Sequence, residues 1–129
     1  MTEERDMLSG GGEAIVIFVT VSSPEEGERI ARRLLEDRLA ACINILPHIR
    51  SFFSWEGKSS DEEELLLIIK SERGLFADLA KAVKECHSYS VPEIIAVPIL
   101  EGTLSYLQWI QDVTHRDLSP TAIRPGGES

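Results

Sequence analysis

The sequence predicts an α+β domain: a four-stranded sheet in the order β-α-β-β-α-β, with one further helix at its C-terminal end. Three observations predict it. Runs rich in β-branched residues at 15–19, 65–69 and 94–97 are apolar at consecutive positions, as buried strands are. Two stretches of helical periodicity separate them. A long stretch of period two, residues 40–55, leads into the run at 65–69 through a glycine turn.

Each element has its own signal. Residues 1–12 are polar, end in Gly10, Gly11 and Gly12, and read as a flexible arm. Ile15 to Val19 is the first strand. Ser23-Pro24-Glu25-Glu26 is a capping box with proline at the first helical position. The helix after it collects Ile30, Ala31, Leu34 and Leu35 on one face. Between Ala40 and Trp55, the apolar residues Ile43, Ile45, Ile49, Phe53 and Trp55 share one parity, and Asn44, His48, Arg50 and Ser54 share the other. Pro47 cannot donate to a ladder, so a bulge or an edge is expected there. Glu56-Gly57-Lys58 is the hairpin turn, and Leu65 to Ile69 is the third strand, ending at Lys70. Gly74 to Glu85 is the second helix, with Leu75, Leu79, Val83 and Cys86 in one stripe. His87 to Pro92 is a loop and Ile94 to Leu100 the fourth strand. Thr103 caps a short third helix whose apolar face is Leu104, Leu107, Ile110 and Val113. The domain therefore spans 13–114, and 115–129, rich in proline and glycine, reads as a tail.

Composition narrows the function. A chain of 129 residues fits one domain, and a hydrophobic content of 43% supports a packed core. The net charge of −9 argues against nucleic acid or anionic membrane as the main partner. Cys42 and Cys86 are not spaced as a disulfide framework or a CxxC pair and read as free thiols. The acidic N-terminus lacks the apolar core of a signal peptide, and no run is long enough to span a bilayer. These features together make a cytoplasmic protein the expectation.

The element order is that of the split βαβ, or ferredoxin-like, sandwich. Right-handed crossovers put both main helices on one face of the sheet. A strand with one solvated face should alternate, yet three of these strands are apolar at every position. The third helix is too short to cover the second face, so another subunit is expected to do so.

Four blocks of sequence make the reading more specific. Arg38-Leu39-Ala40-Ala41-Cys42-Ile43-Asn44 is followed by Pro47. Trp55-Glu56-Gly57-Lys58 is followed by Glu64 and by Ile69-Lys70. His87-Ser88-Tyr89-Ser90-Val91-Pro92-Glu93-Ile94 forms the third block, and Tyr106-Leu107-Gln108-Trp109-Ile110 the fourth. In this order they resemble the CutA family of divalent-cation tolerance proteins, over about residues 14–113. The resemblance implies a homotrimer of ferredoxin-like subunits, a link to copper and other divalent cations, and an architecture like that of the trimeric PII signalling proteins. It attaches no firm reaction, so the chain is expected not to be an enzyme. The sequence departs from the family at Ser88 and Ser90, where proline and an acidic residue are usual. It also departs at Val21-Ser22-Ser23, which holds no thiol.

The expected ligand cleft, between subunits, holds Trp55, Lys58, Glu64, Lys70, His87, Tyr89 and Trp109. His87 beside Cys86 offers imidazole and thiolate, which suit copper or zinc, with Glu64 as a further ligand. Adjacent helical positions point about 100° apart, however, so the pair needs a third group. Glu64 and Lys70 share the parity of Leu66 and Ile68, an otherwise apolar face, which suggests a polar cleft for a cation and a small anion. Two other classes stay open: a very stable structural or interaction trimer with no metal role, and an enzyme with Glu64 or His87 as general base. The chain holds no phosphate loop, nucleophile elbow or HExxH sequence.

Overall fold

A computed structural model describes residues 13–115. The N-terminal arm of 1–12 and the tail beyond 115 lie outside the described residues. Eight elements follow in order: β1 (Ala14–Val21), α1 (Pro24–Glu36), β2 (Cys42–Trp55), β3 (Lys58–Glu72), a 3-10 turn (Arg73–Leu75), α2 (Phe76–Cys86), β4 (Ile94–Pro98) and α3 (Leu104–Thr114). The strands form one antiparallel sheet in the order β2-β3-β1-β4.

Local chemistry fixes the boundaries of α1. Ser23 is extended and its hydroxyl accepts the Glu26 N–H at 3.2 Å, with Pro24 opening the helix. At the other end Arg38 takes a left-handed φ of 56°. The Arg38 N–H then reaches Leu35 O, and the Leu39 N–H reaches Leu34 O, a Schellman closure built without glycine. Ala41 N–H donates to Lys70 O and the Ser71 hydroxyl to Leu39 O, so the connection lies flat on β3.

The odd residues of β1 and β3 form the helix-covered face. Ile17 stands beside Ile69, and Val19 beside Leu67. They pack with Ile30 and Leu34 of α1 and Leu79 and Val83 of α2 in one buried core. The even residues form the opposite, open face: Val16 and Phe18 of β1 pair with Lys70 and Ile68 of β3, and with Val97 and Ile95 of β4. The third helix covers one end of this face, where Leu107 and Ile110 meet Ala14 and Ala41. Beyond it Ile95 is 51% and Val97 43% exposed, and Leu46, Phe53 and Trp55 are also exposed.

The structure corrects three expectations. The third strand, 15 residues, is three times as long as its apolar run 65–69, because Lys58 to Glu64 pairs with Ile49 to Trp55 despite its acidic composition. Arg50 holds Asp61 through two bonds of 2.9 and 2.8 Å and His48 hydrogen-bonds Glu63 at 3.1 Å, so cross-strand polar pairs offset the like charges along the strand. The second correction concerns faces. The bulge expected at Pro47 is present: Leu46 pairs with Leu66 and Ile49 with Glu64, leaving two residues of β2 opposite one of β3. His48 takes φ 62° there. The insertion flips every later side chain, so Ile43 and Ile45 point to the helices, whereas Ile49, Phe53 and Trp55 point to the open face. Equal parity did not mean one face. Lastly, β4 ends at Pro98, with one further bond from Ile99 N–H to Ala14 O, and the second helix begins at Phe76 after its 3-10 turn, where Gly74 weakens the first turn.

Candidate functional site

The β2–β3 hairpin extends beyond the helices, and its two-residue turn has Glu56 at φ 52° and Gly57 at φ 81°. Where it leaves the body of the sheet, the 87–93 loop crosses its open face. Between them lies an open groove of about 920 Å³. Glu62, Glu64, Phe53, Trp55 and Tyr89 line it.

Glu64 sits at the floor, 4% exposed, and accepts the Tyr89 hydroxyl at 2.7 Å. Burial, the bond to Glu64 and the nearby charges of Glu64, Glu26 and Glu62 hold the Tyr89 phenol well above its usual range. Tyr89 is therefore a fixed donor, and Glu64 its acceptor.

His87 orients Tyr89. Its Nε2 lies 2.8 Å from Thr20 O, and its Nδ1 lies 3.0 Å from the Tyr89 backbone N–H. A carbonyl only accepts and an amide only donates, so Nε2 carries the proton and Nδ1 offers its lone pair. The His87 side chain is fully buried. Both ring nitrogens are spent on backbone, and none remains for a metal.

Glu26 is the functional residue that sequence reasoning missed. Its N–H donates to the Ser23 hydroxyl as expected, but its carboxylate does not complete the box. Instead Oε1 accepts the Ser22 N–H at 3.1 Å and the Ser22 hydroxyl at 3.2 Å, and Oε2 accepts the Ser88 N–H at 2.5 Å. The residue is 3% exposed. Burial pushes this carboxyl up, but the Ser22 and Ser88 donors more than offset it and hold it below the usual range. Ser22, directly before the N-cap Ser23, was the available signal.

The remaining predicted residues stand elsewhere. Trp55 and Lys58 are cross-strand partners that flank the hairpin turn. Lys70 lies on the open face like Glu64, but six residues away on β3, about 20 Å by strand rise. Its ammonium bonds Asn44 Oδ1 and approaches Cys42 Sγ. Within one chain the two do not share a cleft. Trp109 stacks on Tyr106 with centroids 5.4 Å apart, over the far end of the sheet. Cys86 packs against the core, with the Arg33 guanidinium 3.8 Å from its sulfur. A cation next to that thiol disfavours a second one. Among the described residues no three His, Cys, Asp or Glu side chains converge. His87, Cys86 and Glu64 therefore do not fit as a metal centre within the subunit.

These features define a class: a ferredoxin-like sandwich with an extended hairpin and a carboxylate–tyrosine groove beside an uncovered sheet face. Comparison with known proteins narrows it. The family described as CutA1 divalent ion tolerance protein matches residues 15–113. The chain belongs to that family. The divalent-cation tolerance protein CutA of Thermus thermophilus is 44% identical over 99 residues, which are 77% of this chain and 96% of that protein. Rice protein CutA 1, named as chloroplastic, is 46% identical over 101 residues, 78% of this chain but 57% of the rice protein's length. The solved structure of the periplasmic divalent cation tolerance protein CutA from Archaeoglobus fulgidus superposes with a TM-score of 0.77 at 46% identity. It covers 79% of this chain and 99% of that one. Among the described residues no helix is long and apolar enough to cross a membrane.

Proposed function

We propose that the protein is a cytoplasmic, non-enzymatic homotrimer of the divalent-cation tolerance type, whose grooves, lying at subunit boundaries, take up a hydrated divalent cation or a small cationic ligand. One observation carries this reading: the uncovered apolar face runs directly into a groove lined by Glu62 and Glu64. Apolar surface of that extent beside a polar cleft favours association of like chains, which leaves the cleft at the seam. The relatives named as divalent-cation tolerance proteins agree with the sign of the groove.

The lining also selects among cations. Carboxylates and a phenol suit a hard, hydrated ion better than the imidazole and thiolate set expected for copper. Light scattering should give three times the 14.4 kDa chain mass. Calorimetric titration with Mn²⁺, Zn²⁺ and Cu²⁺ should show Mn²⁺ binding lost in the Glu62→Gln/Glu64→Gln double variant. Equal affinities in wild type and double variant would remove the cation reading. A monomer in solution would remove the trimer.

A further inference from the structure

We infer that Glu26 is a positioning residue of the groove: through Ser88 and His87 it sets the Tyr89 hydroxyl on Glu64. The inference rests on the groove reading above, and it deepens that reading by naming what holds the groove in shape.

The chain of contacts is continuous. Glu26 is anchored at the start of α1, where Ser23 caps the helix and Ser22 gives the carboxylate two donors. From there Oε2 takes the Ser88 N–H, across 62 residues of sequence. His87, next in the chain, is pinned through Nε2–H to Thr20 O of β1. Its Nδ1 lies 3.6 Å from Glu26 Oε2 and accepts the Tyr89 N–H. The His87 and Tyr89 rings lean together, centroids 4.8 Å apart. Tyr89 then has one direction left, and its hydroxyl ends 2.7 Å from Glu64. Residues 87–93 form no strand or helix of their own, so these bonds are what fix them. A buried carboxylate is costly unless its acceptors are filled. Here the donors come from two distant segments, so satisfying the charge requires the loop to be in place.

Three variants separate this role from simple support of the helix. Glu26→Asp keeps the charge but falls one methylene short of Ser88. Glu26→Gln keeps the length but loses the charge. Ser23→Ala removes the helix cap and leaves the Glu26–Ser88 contact untouched. The first readout is amide exchange, normalised to core amides such as that of Val83. Loss of a bond to a charged acceptor should speed exchange at Ser88 and Tyr89 by about tenfold or more. The second is the ¹³Cζ resonance of tyrosine. The chain has two tyrosines, and Tyr106→Phe assigns them. In Glu26→Asp the Tyr89 resonance should move toward that of a solvated phenol, and in Ser23→Ala it should stay in place.

If Glu26 acted only through its field, Glu26→Asp would match wild type, and the inference would fall. If it only stabilised α1, Ser23→Ala would reproduce its effect, and the inference would fall likewise. Neither readout depends on a ligand or on the oligomer. A failed cation titration or a monomeric mass therefore counts against the proposed function alone.

Discussion

The buried carboxylate of Glu26 and the half-buried one of Glu72 respond in opposite directions, which shows how neighbours decide what burial does. Glu26 is surrounded by donors, and its carboxyl is held low. Glu72 loses water without gaining donors: its Oε2 is buried with no hydrogen-bond partner. Burial, then the like charge of Glu13, push the Glu72 carboxyl up, and His115 only partly opposes them. A raised folded value means the folded state binds the proton more tightly than the unfolded chain. The stability that Glu72 contributes is complete below the unfolded carboxylate value and is lost as pH rises through the folded one. At pH 7 the ionised group is a net cost. Glu72→Gln should therefore raise the urea midpoint at pH 7, and the gain should vanish below about pH 4. An unchanged midpoint at pH 7 would show that the carboxylate is solvated. Glu26 has the reverse sign: its contribution is present at neutral pH and fades as pH falls below the ordinary carboxylate value. These environments were not legible in the sequence. Glu26 read as half of a capping box, and its second partner, Ser88, is 62 residues away. His87 stood out in the sequence for its chemistry, but its surroundings make it a buttress. A side chain's donors and acceptors belong to the packed fold, whereas its type belongs to the chain.

Elements were more legible than sites, for a physical reason. Caps, turns and periodicity act over a few residues, so Ser23, Pro24 and Pro47 announced what they do. The length of β3 was hidden because its first half pairs through charge instead of apolar side chains. The face of the hairpin was hidden because a single inserted residue reverses it. That reversal has a consequence for function. With the bulge, Ile49, Phe53 and Trp55 lie on the open face with Glu62 and Glu64, and Arg50 and Phe52 lie on the other. Deleting His48 should restore a regular ladder and exchange the two sets. Arg50 and Phe52, which reach the rim of the groove from the other face, would then turn onto the open face, and Ile49, Phe53 and Trp55 would leave it. The deletion variant should keep its far-UV circular dichroism, shift the fluorescence of its two tryptophans, and lose the Tyr89–Glu64 contact seen through the tyrosine ¹³Cζ resonance. Retention of the wild-type Tyr89 resonance would mean that the turn, and not the bulge, sets the hairpin's face.

At the scale of the whole molecule, the question is what covers the second face of the sheet. The monomer places two helices on one side, and α3 reaches only the end near Ala14 and Ala41. The apolar residues of β1, β3 and β4 on the uncovered side have no folding role that a solvated face could not fill, which is the argument for a like subunit there. A charge at Val97 tests it without touching the core. Val97 is 43% exposed in the single chain, so Val97→Glu should change the stability of an isolated subunit by no more than about 0.5 kcal/mol. Buried between subunits, the same carboxylate would be an unpaired charge, and each subunit of an assembly would bear that cost, several kcal/mol apiece. Symmetry repeats the substitution at every copy of the interface, so the penalties accumulate. Val97→Glu should therefore reduce the mass in light scattering to that of one chain while circular dichroism is retained. Val97→Thr, which introduces a hydroxyl without a charge, should leave the proposed trimer intact. A trimer that survives Val97→Glu would place the interface elsewhere and return the open face to solvent.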